Sequence, residues 1–216
     1  MRKLCLAVIL ILGIIYTCKA QIVYPRNYYN PLSGMVLING SAGIDLGETD
    51  YKRTRAAFLS QASIEYFLPS QNHLDFSLRA FASDGFVSGK DTKINPPVFR
   101  TSIYSIGAGV GLAVAVNDKI FPYIDVGYSI LWYYPRDQYG RTPQNYLAGE
   151  ENNLTSTYSV ELGTRFMFLK NWSANISTGI WAVTNDRLDN VIGGAYNDSY
   201  ISFMAGISYY FETDSQ

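Results

Sequence analysis

Ser199 to Phe211 reads S-Y-I-S-F-M-A-G-I-S-Y-Y-F, and this stretch decides the fold. Ile201, Phe203, Ala205, Ile207, Tyr209 and Phe211 form one apolar face that ends in aromatics. Tyr200, Ser202, Met204, Gly206, Ser208 and Tyr210 form the other, which is small or amphipathic. Period-two alternation over this length is a β-strand with unlike surroundings on its two sides. At a sheet edge its unpaired N–H and C=O groups would invite aggregation. It needs a partner on each side. The first strand of the chain is the natural second partner, and pairing last with first closes a barrel. The apolar face then points either inward, as in a soluble barrel, or outward into lipid.

Composition separates these two. The chain has 216 residues, enough for one domain with a full core. Charged residues make up 16%, against about 25% in an ordinary soluble domain. There are 18 Tyr and 18 Gly, and past the N-terminus no apolar run is long enough for a membrane helix. Few charges, many Tyr and Gly, and no spanning helix fit a membrane β-barrel. The net charge of −1 and the lack of a basic cluster in the sequence argue against a nucleic-acid partner.

Residues 1–20 read as a secretion signal. Arg2 and Lys3 are its positive start, Leu4 to Tyr16 its apolar segment, and Cys18-Lys19-Ala20 its cleavage site. Cys5 and Cys18 both fall inside it, so the mature chain is expected to carry no thiol. Residues 21–33, with Pro25 and Pro31, read as an irregular periplasmic lead-in, 34–211 as the barrel, and 212–216 as a short tail.

Within the barrel, alternation predicts strands at 34–46, 54–68, 73–83, 101–116, 120–134, 156–168, 172–183 and 199–211. Pro69 to Asn72, Asn117 to Lys119 and Leu169 to Asn171 are short turns. Gly47 to Arg53, Asp84 to Arg100, Pro135 to Thr155 and Thr184 to Asp198 are longer connections. The expected fold is all-β: an eight-stranded antiparallel up-and-down transmembrane barrel.

The less apolar faces are rich in Gly, Ser, Ala and Asn. They also carry Asp45, Arg55, Glu65, Asp75, Arg79, Asp125, Glu161 and Arg165. A face turned to water would be rich in Lys and Glu and poor in Gly. Gly107, Gly109 and Gly111 alternate along strand four, as suits a crowded interior. Mixed charges on one face predict an internal ion-pair network, because an isolated buried charge is costly. Asp125 is expected to pair with Arg165, and Arg79 to lie near Glu65, Asp75 or Glu161. Aromatics gather at both ends of the strands: Tyr66, Phe166, Phe168, Trp172, Tyr209 and Phe211 by the short turns, Tyr104, Tyr128, Trp132 and Tyr158 toward the long loops. Two girdles around an aliphatic band mark a barrel in a bilayer.

On this pattern the chain resembles the small eight-stranded outer-membrane barrel family, such as the OmpA transmembrane domain and OmpX. The pattern is signal, short turns, long outer loops, and a closing strand ending Tyr209-Tyr210-Phe211. The resemblance implies an outer-membrane location in a Gram-negative-type bacterium. It also implies lipids of that membrane as surroundings and the barrel-assembly machinery as a partner in biogenesis, reading the aromatic ending. Here the tail Glu212 to Gln216 sets that ending short of the last residue.

No enzyme is expected. His73 is the only histidine, it sits beside a short turn at the periplasmic end, and no plausible nucleophile accompanies it. No cofactor or metal is expected either. Asp84, Asp91, Glu150 and Glu151 lack calcium-loop spacing, and Gly107-x-Gly109-x-Gly111 lies inside a strand pattern rather than at a strand-to-helix turn. The functional reading is an envelope-structural or surface-interaction barrel with its lumen plugged by polar and charged side chains. Tyr139 and Tyr146 in the longest loop are available to a surface partner whose identity is unknown. The alternatives are a small-solute porin or narrow gated channel, and a secreted soluble lipocalin-like barrel that binds an apolar ligand.

Overall fold

A computed structural model describes residues 31–70, 73–91, 93, 97–137, 139–141, 153–185, 188–189 and 197–212. The expected signal, most of the lead-in, Tyr146 and tail residues 213–216 lie outside them. Eight strands form: β1 (Met35–Glu48), β2 (Arg53–Phe67), β3 (Leu74–Lys90), β4 (Val98–Val114), β5 (Ile120–Asp137), β6 (Leu154–Leu169), β7 (Trp172–Val183) and β8 (Ser199–Glu212). Each pairs antiparallel with the next, and β1 pairs with β8 from Met35↔Glu212 to Glu48↔Ser199. The sheet is a closed barrel with no free edge.

The apolar faces point outward. Phe203 is 48% exposed and Ile207 54%, while Arg79 and Glu161 are buried. Ile38, Ile64, Leu78, Val110 and Val126 continue the exposed band around the barrel. In water this would be a far larger apolar patch than a soluble monomer tolerates; in a bilayer it is the contact with lipid. A soluble ligand-binding barrel needs the opposite arrangement, so that alternative falls. Trp172 packs edge-on to Tyr209, and Tyr209 to Phe211, at the short-turn end. Tyr104 with Tyr134 and Tyr128 with Tyr158 pack toward the other end.

Two departures from the sequence reading shape the outer rim. The expected loop Asp84 to Arg100 is mostly strand. β3 and β4 stay paired out to Lys90↔Val98 and leave only 91–97 as a connection. Gly85 and Gly89 are not loop punctuation but places of close approach. A Cβ on Gly85 would lie 2.8 Å from Leu59, and one on Gly89 2.6 Å from Phe99. The second departure is a β-bulge in β2. Arg55 pairs Ser88 and Leu59 pairs Gly85, so β2 takes four steps where β3 takes three. One extra residue reverses which side faces the lumen. Arg55, expected inside, is therefore exposed on the outer surface.

Candidate functional site

The lumen holds the clustered chemistry, in three layers. At mid-height β2 contributes Gln61 and Glu65, β3 Arg79, β5 Asp125, and β6 Glu161 and Arg165, all buried. Strand alternation aims each of them inward. Asp125 and Glu161 are direct cross-strand neighbours and would repel. One guanidinium nitrogen of Arg79 resolves this, lying 2.7 Å from Asp125 and 2.9 Å from Glu161. The other donates to Gln61 Oε1 at 2.7 Å. Arg79 reaches over β4 because Gly109 and Gly127 follow it in register and leave space. Gly111 is needed too: a side chain there would strike Asp125 and Ser77.

Arg165 pairs with Glu65 at 2.6 Å. Strands β2 and β6 stand on opposite walls of the barrel, so this pair spans the lumen. Its guanidinium also lies 4.0 Å from the Tyr123 ring centre and 5.5 Å from that of Phe67. Tyr123 donates its hydroxyl to Glu161 at 3.1 Å. The expected pair Asp125–Arg165 does not form. Arg165 is in register with Phe121, four residues below Asp125, so Asp125 turns to Arg79 and Arg165 to Glu65. Of the partners read for Arg79, Glu161 is the one it bonds.

Asp45 and Asp75 are fully buried but outside these ion pairs. Neither Asp45 carboxylate oxygen has a hydrogen-bond partner among the described residues, and nor does the Tyr200 hydroxyl. Asp75 lies near the short-turn end of β3. His73 is also there, and its carbonyl accepts a 2.9 Å hydrogen bond from the Ala115 N–H. Among the described residues no group of three or more His, Cys, Asp or Glu is placed to hold a metal ion.

Two apolar layers enclose the charged one. Below it Leu32, Leu37, Phe67, Phe121, Tyr123 and Tyr210 fill the short-turn end. Above it Leu59, Phe81, Ile103, Leu131, Tyr133 and Trp181 fill the long-loop half. Trp181 stacks on Tyr200 at 5.6 Å, meets Phe81 edge-on at 5.7 Å, and donates Nε1–H to Ser202 at 3.1 Å. Leu188, from the connection after β7, is buried in the same layer, and its carbonyl accepts from the Thr101 hydroxyl. The backbone N–H of Asp50 donates to Asp189 at 2.9 Å, tying that connection to the one between β1 and β2. Tyr51 packs there against Phe99, ring centres 4.5 Å apart. Burial first, then Asp189 and Asp91, push its hydroxyl up to about 12. The sequence reading missed this upper layer. Its signal was present: Phe81, Ile103, Leu131 and Trp181 interrupt the small polar residues on the inner face.

The model of the outer membrane protein beta-barrel domain matches residues 35–211. The chain belongs to that family. It is an outer-membrane β-barrel protein of the Gram-negative envelope, and its neighbours among solved structures are small barrels of the same kind. Neisserial surface protein A is similar, with 14% identity, a TM-score of 0.56, and 83% of this chain and 98% of that one covered. Ail, the attachment invasion locus protein of Yersinia pestis, solved with the heparin analogue sucrose octasulfate, has 13% identity and a TM-score of 0.51. That match covers 83% of this chain and 99% of Ail. At such identities the likeness is one of fold. No curated protein matches the chain.

Proposed function

We propose that the protein is a closed, non-catalytic barrel with an envelope-structural or surface-interaction role, its lumen plugged at mid-height. The observation that carries this reading is the Arg165–Glu65 pair, 2.6 Å long and spanning opposite walls between two apolar layers. An ion crossing the lumen would have to part this pair, displace Arg79 from two carboxylates, and cross both apolar layers. Each of those steps costs several kcal/mol when charges are buried. Lipids of the outer membrane surround the barrel, and the assembly machinery reads the Tyr209-Tyr210-Phe211 ending. A surface partner would meet the long-loop side, where Tyr139 is 71% exposed. The only histidine lies at the opposite end, which supports the absence of catalysis at the outer rim.

Conductance in planar bilayers tests the plug. The refolded protein is expected to leave the bilayer silent at moderate voltage. Steady, reproducible openings would replace this reading with that of a small-solute porin.

A further inference from the structure

We propose that the upper lumen holds a monovalent metal cation, bound between Asp45 and Tyr200. Asp45 points inward from β1 and is fully buried. Neither of its carboxylate oxygens has a hydrogen-bond partner among the described residues. Its neighbours on the inner face are small: Gly43 and Gly47 along β1, and Ser202 in register on β8. The bulge that turns Arg55 outward leaves Arg79 and Arg165 as the buried arginines among the described residues. Both are taken, by Asp125, Glu161 and Glu65, and Asp45 has no share in those pairs. An isolated ionised carboxylate is among the costliest groups to bury, so its charge must be cancelled by something the chain does not supply.

The Tyr200 hydroxyl carries the argument further. It is fully buried, lies within electrostatic reach of Asp45, and likewise has no hydrogen-bond partner among the described residues. Two oxygens that interact through charge, yet do not bond each other, leave a gap to be bridged. A proton on Asp45 would not bridge it, and its O–H would lack an acceptor. A water would bridge the gap but leave the charge in place. A cation does both, taking lone pairs from the two oxygens and cancelling the carboxylate. Ser202 offers a third oxygen. Its Oγ accepts from Trp181 Nε1–H at 3.1 Å and keeps a second lone pair.

The single carboxylate sets the valence. Divalent cations draw on several anionic oxygens, and no group of three or more His, Cys, Asp or Glu among the described residues is placed to hold one. Burial sets the size. Val87 fills the space beside Gly47, and Leu59, Trp181 and Leu188 are buried in the same layer. These walls favour a bare ion over an organic ammonium. With Leu188 in that layer, the ion is trapped as the barrel closes rather than exchanged through an open mouth. The site lies on the long-loop side of the Arg79 layer and stands whether or not that layer conducts.

The test refolds the whole chain into lipid vesicles in sodium, potassium or choline chloride at equal concentration, so that screening is the same in each. The urea unfolding equilibrium should lie about tenfold further toward the folded form in sodium or potassium than in choline. D45N should abolish that difference and Y200F should reduce it severalfold, whereas D118N, on an exposed short turn, should keep it. D45N should also rank below wild type in sodium but not in choline, a dependence on salt that a merely structural role for Asp45 would not produce. Should D45N fail to fold, crystals of wild type grown with thallium(I) decide, and an anomalous peak beside Asp45 is expected. Equal stability of wild type in all three salts would place a proton or a water at Asp45 and overturn the proposal. So would an unchanged difference in folded D45N, or thallium density absent from Asp45.

Discussion

The two ends of the lumen are packed in different ways. At the short-turn end, apolar side chains are joined to the charged layer: Arg165 lies over Tyr123 and near Phe67, and Tyr123 bonds Glu161. At the long-loop end the packing is aromatic and aliphatic, and it borrows Tyr51 and Leu188 from the connections. A guanidinium touches both layers, since Arg79 lies 5.4 Å from the centre of the Phe81 ring above it, but the lower layer also hydrogen-bonds a carboxylate of the charged one through Tyr123, while the upper depends more on packing and on how the connections rest. Both come from inward-facing residues of the same strands. What differs is that charges must satisfy one another across the barrel, whereas apolar side chains need only fill space.

The largest effect should come from breaking the charged layer. Arg79→Ala leaves Asp125 and Glu161 side by side without their shared cation. A loss of about 3–5 kcal/mol is expected, read from urea unfolding in lipid vesicles. Phe81→Ala opens the upper layer instead and should cost about 3 kcal/mol by the same measurement. It should leave the bilayer silent, because the charged layer persists beneath it. Tyr123→Phe removes one bond to a buried carboxylate and should cost about 1.5–3 kcal/mol.

A double-mutant cycle sharpens the contrast. Glu65→Gln and Arg165→Leu should couple by at least about 1 kcal/mol, whereas Arg165→Leu and Val87→Ala should add independently. The smallest effect belongs to alkaline pH. The Tyr51 hydroxyl is raised from 10.0 to about 12, so its neutral form is the one the fold favours. The stability this gives is complete below pH 10 and is lost as pH rises through about 12. Tyr51→Phe should remove that alkaline step from the unfolding profile, and a profile unchanged by the substitution would detach Tyr51 from the upper apolar layer.

The lipid-facing side was legible in the sequence because a bilayer imposes one rule on every strand. Ile38, Leu78, Val126 and Phe203 obey it whatever their neighbours are. The lumen follows no such single rule. Polar alternation was plain at Glu65, Arg79 and Glu161, but their partners depend on register between strands, and no local pattern specifies that Phe121 faces Arg165. Gly85 and Gly89 signalled a loop because glycine serves both turns and close packing. The bulge that turns Arg55 outward leaves no mark in residue type at all. Its evidence is a count of paired positions on two strands, which exists only once they are aligned.

The seam between β1 and β8 bears on the order of events during assembly. Seven of the eight pairings join consecutive strands, and each can zip up soon after its own turn forms. The eighth joins Met35 to Glu212, and so must gather nearly the entire barrel sequence before its first bond is made. A chain with seven hairpin contacts in place is still a curled ribbon with two sticky borders. Until those borders meet, each is open to pairing with the border of another chain.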